Sequence, residues 1–349
     1  MDRFRAVLVI GVIATHVAIT YGAGGDWFYV ETTGDGVLQK ALDVPIAVGA
    51  LFAMGAFFFV AGCFHPASLS SKGARRYAVD RLTRLGLPVL VFVLAVVPAI
   101  DWAVASVAGP ARPLGEVVRD QVTTLDAGPL WFAAVLLLFT LLAAAALGAG
   151  PRSERALTRG GLGTAAVAVA ALSFALRLWF RIGTFQLGSL HLWQWGQCGG
   201  LFVLGLACGR RGLAPTPPEV LRTCRYAFGL GLLAIAAVLA TAPDLDPYGG
   251  GLSWQSAVVS VIEGVVSVSA TVLLLQVCRR LGGARLAALG PLAFGAYVVQ
   301  APVIVALSLA LRPVPVAAGV KLPLVAVASV VACFAAAILL RRAGTVRRR

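Results

Sequence analysis

Charged side chains are scarce in this sequence. Of its 349 residues only 13% are Asp, Glu, Lys or Arg, while 59% are hydrophobic and the mean hydropathy is +0.89. A typical soluble domain carries about 25% charged residues. A soluble globular domain is therefore excluded, and we expect an all-α, polytopic membrane helix bundle.

Metal and disulfide patterns are missing as well. No two of the six cysteines form a CxxC pair, and most lie inside apolar runs: Cys63, Cys198, Cys208, Cys224, Cys278 and Cys333. We interpret them as small buried thiols and predict no disulfide framework and no metal site. The first apolar run lacks a small-x-small cleavage site, so we expect it to remain as the first span.

Apolar stretches long enough to cross a bilayer, about 17 to 25 residues, occur along the whole chain. The sequence contains ten: 5–23, 45–64, 85–106, 129–149, 161–180, 194–210, 226–243, 254–278, 287–311 and 320–340. The sixth is the shortest. No linker, low-complexity tract or internal repeat interrupts the series, which predicts one integral-membrane domain over 1–349.

The basic residues are distributed unevenly along the chain. A net charge of +14 would ordinarily suggest a nucleic-acid partner. With the N-terminus in the cytoplasm, however, most lysines and arginines fall in inner segments, at 3–5, 72–84, 152–159, 210–225, 279–285 and 341–349. The positive-inside rule accounts for this pattern. It predicts about ten transmembrane helices in the cell (plasma or inner) membrane, both termini cytoplasmic, and no nucleic-acid partner.

The first span carries two groups that lipid disfavours, Arg5 and His16. Their separation equals three helical turns plus about 20°, so both lie on one face, about 16 Å apart along the axis. His16 would lie about halfway across the bilayer, facing the protein interior or a wet cavity. Taken alone, Arg5 could be a snorkelling anchor, and His16 could form a hydrogen bond between helices. Taken together, they indicate a binding site for an elongated cytoplasmic anion. Arg5 would bind one end of this anion, and the other end would reach His16.

The inner segment 65–84 concentrates positive charge. Arg81 and Arg84 are three residues apart and are predicted to share a helix face. The segment could be an ordinary positive-inside loop. Alternatively, it could bind phosphate, because guanidinium groups bind phosphate in a bidentate fork. His65, at its border, is expected to be solvated.

Two further side chains are candidates for supporting roles. Glu263, in the eighth span, needs a partner such as Arg or His; the alternatives to a site role are a buried ion pair or a protonated acid. Trp131 begins the fourth span and suits an interfacial anchor or a position at the cavity mouth. His191 marks the outer mouth of the sixth span and suits a polar substrate or the interface.

The chain resembles the acyltransferase-3 family of integral-membrane acyltransferases over nearly its whole length. Five segments carry the resemblance in the family's order: the pair Arg5 and His16, then 55–62 (GAFFFVAG), 76–88 (RYAVDRLTRLGLP), 128–132 (GPLWF) and 290–302 (GPLAFGAYVVQAP). Two positions depart from its pattern. Ala61 replaces a common serine, and Gln300 replaces a frequent histidine, so we assign no proton-transfer role to Gln300.

The resemblance implies an acyl-CoA donor, often acetyl-CoA, used as a substrate with no tightly bound cofactor. It implies His16 as the catalytic base and Arg5, Arg81 and Arg84 as acyl-CoA-binding residues. Polyanionic coenzyme A suits the inner arginines, and a neutral imidazole can take a proton from an acceptor hydroxyl.

We therefore expect the protein to transfer an acyl group, acetyl in the first instance, to a hydroxyl of a carbohydrate or of an exported cell-envelope molecule. We also expect the protein to contact membrane lipid. The alternative is a transporter or flippase for a polar solute or lipid-linked sugar, with His16 and Glu263 as a proton relay. The missing internal repeat disfavours this alternative.

Overall fold

The structure is a computed structural model that describes residues 1–31, 36–147, 155–184 and 186–346. It is 82% helical, and the described residues contain no strand. The all-α prediction is confirmed. Arg152 and Arg347 to Arg349, which we placed in inner segments, lie outside the described residues.

The α-helices are, in chain order, α1 Asp2–Thr20, α2 Gly36–Ala50, α3 Ala53–Lys72, α4 Ala74–Arg81, α5 Leu87–Val91, α6 Val97–Ala108, α7 Leu114–Thr124, α8 Trp131–Leu147, α9 Arg159–Arg177, α10 Trp195–Cys208, α11 Pro218–Thr241, α12 Trp254–Arg280, α13 Ala284–Leu289, α14 Ala293–Leu311 and α15 Ala318–Val346. Two π-helical turns, Leu82–Gly86 and Phe92–Val96, join α4, α5 and α6.

Nine helical stretches of the described chain are long and apolar enough to cross a membrane. The chain is therefore a multi-pass membrane protein. The sixth expected span differs, because α10 has only 14 residues, a length of about 21 Å. Short 3₁₀ turns, Leu192–Gln194 and Gly209–Leu213, flank it on both sides.

The two π-helical turns have a common relation to proline. Leu82–Gly86 ends two residues before Pro88, and Phe92–Val96 ends two residues before Pro98. In an α-helix, a proline ring clashes with the carbonyl four residues earlier, here Arg84 or Leu94. A π turn has a different hydrogen-bond pattern around that carbonyl, so the helical stretch continues through each proline.

The first of two compact units comprises Met1–Ala47, Pro88–Leu130 and Leu281–Arg349. Within it, α1 lies against α13, α14 and α15. A Cβ added at Gly290 would lie 2.1 Å from the Cβ of Asp2, so the start of α1 closely approaches the turn before α14. The buried Tyr297 hydroxyl donates to the carbonyl of Pro129.

The second unit comprises Val48–Leu87 and Trp131–Arg280. Its α3 and α10 touch through glycine. A Cβ added at Gly62 would lie 2.3 Å from the Phe202 carbonyl oxygen, and one at Gly205 would lie 2.2 Å from that of Phe59. Small residues of this kind let helix backbones approach closely in membranes, so the GAFFFVAG block has a packing role.

Gly205→Ala is expected to lower the thermal unfolding midpoint of the detergent-solubilised protein. The added methyl group overlaps the Phe59 carbonyl oxygen, and overpacking costs about 1–3 kcal/mol. Gly229→Ala in α11 is the matched control, because a Cβ there meets no atom within 4 Å. The control should keep or raise the midpoint; equal midpoints for the two variants would contradict the close packing.

Candidate active site

His16 lies in the second half of α1 with its ring flat against the indole of Trp27. The ring centroids are 4.1 Å apart and the planes differ by 13°. Trp27 belongs to segment 21–31, which turns back along the end of α1, where the Glu31 amide donates to the Thr20 carbonyl over 2.9 Å. The stacked indole fixes the plane of the imidazole.

An ion pair anchors the segment that carries Trp27. Lys321 Nζ lies 2.5 Å from Glu31 Oε1, and the two side chains are only 6% and 17% exposed. Burial and the Glu31 carboxylate raise the pKa of Tyr29. The segment is thus held to α15 by a largely buried charge pair.

The His16 ring also contacts Gln300, a residue of α14. His16 Nδ1 lies 3.1 Å from Oε1 of Gln300, a side chain with no exposed surface. The two residues are 284 positions apart, so no local pattern could pair them. Sequence reasoning missed both Gln300 and Trp27 as contacts of His16. The available signal was an amide in an otherwise apolar helix.

Arg5 keeps its predicted relation to His16 along α1. The helix is unbroken from Asp2 to Thr20, so the predicted rise of about 16 Å between the two residues is retained. Arg5 Nη1 lies 3.9 Å from Asp2 Oδ1, and the Arg5 side chain is 41% exposed. The guanidinium is therefore partly accessible at the start of the helix.

Arg81 and Arg84 have different neighbours. The Arg81 guanidinium lies 4.9 Å from the centre of the Tyr77 ring. Arg84 Nε lies 2.7 Å from Asp80 Oδ1, and its side chain is 70% exposed. A π turn begins directly after Arg81, so the α-helical spacing behind the predicted shared face ends there.

His65 corrects one expectation. It was predicted to be solvated, yet it is 1% exposed, because α3 continues past the apolar stretch to Lys72. Its Nδ1 lies 2.7 Å from the Tyr77 hydroxyl. His65 is thus a buried packing residue beneath the ring that Arg81 covers.

Glu263 lies in a buried polar network of the second unit. Its Oε2 accepts from Arg177 Nη2 over 2.7 Å, and both side chains are 1% exposed. Its Oε1 accepts from Gln197 Nε2 over 3.1 Å, and Arg177 also donates to Ser260. The carboxylate is therefore paired with a cation and an amide. Sequence reasoning missed this role of Arg177, whose signal is its position in the last turn of an apolar helix.

Trp131, the other supporting candidate, is 8% exposed and stacks on His191 with centroids 4.9 Å apart. His191 has a left-handed backbone with φ 48°, a conformation that a β-carbon disfavours. The Gln186 side chain accepts from the Leu192 amide over 2.6 Å and so bridges this loop. Trp131 and His191 form an aromatic contact within the second unit.

Metal-binding geometry is not found in the part of the chain that the structure describes, where no three His, Cys, Asp or Glu side chains could hold a metal ion. All six cysteines are buried, and their side chains are thiols rather than disulfides. The side chains predicted to act at the candidate site are the imidazole of His16 and the guanidinium groups of Arg5, Arg81 and Arg84. His16 and Arg5 lie in the first unit, and Arg81 and Arg84 in the second. That all of them hold one ligand stays a prediction.

Comparison with known proteins identifies the class of this chain. The model of the acyltransferase-3 family, described as an acyltransferase domain, matches residues 1–342. The chain belongs to this family, and it is a membrane acyltransferase that moves groups other than aminoacyl groups. Neither the curated proteins nor the solved structures contain a significant match.

Removing one partner of the Arg177–Glu263 pair is expected to destabilise the protein strongly. Glu263→Leu leaves a buried guanidinium without its carboxylate, a change that costs about 3–5 kcal/mol. The double variant Arg177→Met/Glu263→Leu removes both charges and should recover much of the loss. Thermal unfolding of the wild type, the two single variants and the double variant measures the coupling; additive losses would contradict a direct ion pair.

Proposed function

We propose that this protein transfers an acyl group, acetyl in the first instance, from acyl-CoA to a hydroxyl of a carbohydrate or of an exported cell-envelope molecule. The observation that carries the proposal is His16, an imidazole in the first membrane helix of a member of an acyltransferase family. Its recorded contacts, Trp27 and Gln300, are both uncharged. A neutral imidazole is suited to act as a general base.

The proposed reaction needs one base and no redox partner. His16 takes the proton of the acceptor hydroxyl while its oxygen attacks the thioester carbonyl carbon. The resulting tetrahedral intermediate collapses, the carbon–sulfur bond breaks, and the departing thiolate of coenzyme A takes the proton from the imidazolium. The products are an ester and free coenzyme A, so His16 returns to its starting state.

We assign the anionic end of the donor to the arginines. Coenzyme A carries several phosphate charges, and guanidinium groups bind phosphate in a bidentate fork. Arg5 is 41% exposed and Arg84 is 70% exposed, so both can exchange their carboxylate neighbours for a phosphate. Arg81, whose guanidinium lies over the ring of Tyr77, contributes a third positive charge. The donor would enter from the cytoplasmic side, and the protein would act in the cell membrane.

His16→Ala is expected to reduce acyl transfer by about 100- to 10,000-fold, the usual contribution of general-base catalysis. The assay follows release of free coenzyme A by the purified protein, with acetyl-CoA and an acceptor panel. Acyl-CoA affinity should change little, because the variant keeps all the arginines. A His16→Ala protein that transfers acyl groups as fast as the wild type would exclude His16 as the base.

Arg81→Ala and Arg84→Ala are each expected to weaken acetyl-CoA binding by about 10-fold, since a hydrogen bond to a charged group contributes about 1.5–3 kcal/mol. Isothermal titration calorimetry measures the affinity. Arg222→Ala is the matched control, because it removes an equal charge from an exposed position on α11. Affinities that are equal in all three variants would argue against the clamp.

The acceptor can be found by mass spectrometry of envelope glycans and small metabolites from cells with the active protein and with His16→Ala. The proposed function predicts a species that is heavier because an acyl group replaces a hydroxyl hydrogen, and that is present only when His16 is intact. Uptake of a solute into proteoliposomes without any acyl-CoA would instead support a transporter.

A further inference from the structure

We propose that Gln300 is a positioning residue for the acyl-transfer reaction, because its amide oxygen holds His16 in the tautomer whose Nε2 receives the acceptor proton. The catalytic consequence rests on the proposed function. The tautomer itself does not, because it is a property of the protein without substrate.

The hydrogen-bond geometry determines which ring nitrogen carries hydrogen. Gln300 Oε1 lies 3.1 Å from His16 Nδ1, and an amide oxygen can only accept a hydrogen bond. With the amide oriented as it is in the structure, Nδ1 is the donor. A neutral imidazole has one N–H group, so Nε2 keeps the lone pair. The hydrogen bond thus makes Nε2 the basic atom of His16.

Trp27 and Gln300 constrain different degrees of freedom of the ring. The indole lies parallel to the imidazole, with 13° between the planes, and so fixes the plane of the ring. The hydrogen bond from Nδ1 fixes the direction in which Nε2 points within that plane. Together the two contacts define one orientation for the atom that accepts the proton.

Gln300 makes this contact at a cost to stability. Its Nε2 is buried and has no hydrogen-bond partner among the described residues. A buried donor without a partner is unfavourable, whereas an apolar side chain of the same shape carries no such penalty. A role in packing alone would therefore be served better by leucine. The amide is explained by what its oxygen does for His16.

Gln300 hydrogen-bonds the His16 ring, and charged groups lie on several of the elements around α1. On α14, residues 293–311 include no Asp, Glu, Lys or Arg, and Tyr297 donates to the Pro129 carbonyl. On α15, Lys321 is paired with Glu31. Asp43 of α2 accepts from the Gly24 amide over 2.7 Å. The other charged groups on the elements packed against α1 are Asp26 in segment 21–31, Lys40 on α2, Asp2, Arg3 and Arg5 on α1 itself, Arg285 on α13, and Arg341 and Arg342 on α15.

Nitrogen-15 NMR of the purified protein in nanodiscs tests the tautomer directly. The chain has three histidines, so the labelled imidazole signals are few, and His16→Asn identifies the signals of His16. We expect a protonated Nδ1 and a bare Nε2 in the wild type, and a shift toward the Nε2–H form in Gln300→Leu. A wild-type signal from Nε2–H, or an identical spectrum in Gln300→Leu, would overturn the proposal.

Kinetics then test whether the tautomer matters to the reaction. Gln300→Leu removes the unpartnered Nε2 donor but also the hydrogen-bond acceptor of His16, so these two effects oppose each other in the thermal midpoint. The variant should lower kcat by about 10- to 100-fold, the usual effect of removing a group that orients a functional histidine. Gln300→Glu restores an acceptor and should recover activity relative to Gln300→Leu. Its carboxylate also favours the imidazolium, so the acid limb of its pH–rate profile should move to higher pH.

The control is Ser329→Ala on α15, which removes another buried polar atom without a partner in the described chain and should leave kcat and the pH profile unchanged. Wild-type activity in Gln300→Leu, or identical rates and profiles in Gln300→Leu and Gln300→Glu, would refute the positioning role. If no hydroxyl is acylated at all, the proposed function fails, and the NMR spectra still decide the tautomer.

Discussion

A charge inside an apolar helix bundle must find its partner on another helix, because neither lipid nor water is there to solvate it. The Arg177–Glu263 pair meets this requirement with both side chains 1% exposed. Gln197 extends the pairing, since its Nε2 donates to Glu263 and its Oε1 accepts from the Gly55 amide over 2.8 Å. One carboxylate thereby connects α9, α10 and α12, and through Gln197 also α3, so the arrangement of the second unit depends on it.

In the first unit, His16 also has polar and aromatic partners within the protein, but these partners are uncharged. The ring contacts an indole and an amide, neither of which favours imidazolium as a carboxylate would. Charge is kept nearer the helix end, where the Glu31–Lys321 pair holds the segment that carries Trp27. The two units therefore use polar burial differently. In the second unit an ion pair joins helices, whereas in the first a neutral contact leaves an ionisable ring available for chemistry.

Hydropathy predicted the helical class and nearly all of the long helices because lipid imposes both length and apolarity on a span. It did not predict where helices end, and His65 was misplaced because polar residues can continue a helix beyond the apolar stretch, as α3 does to Lys72. Hydropathy also did not predict which buried polar side chains contact one another. His16 and Gln300, or Arg177 and Glu263, are joined by tertiary packing over separations of 284 and 86 residues, which no periodicity encodes.

The two π turns before Pro88 and Pro98 have a consequence for how this stretch tolerates insertions and deletions. A π turn contains more residues than an α turn, so a single deletion between Arg84 and Pro88 would favour ordinary α-helical hydrogen bonding. Because an α turn would then replace the wider π turn, the side chains before and after the deletion would keep nearly the same angular relation. The deletion would, however, restore the clash between the Pro88 ring and the carbonyl four residues earlier. The extra residue of each π turn is therefore tied to the proline that follows it.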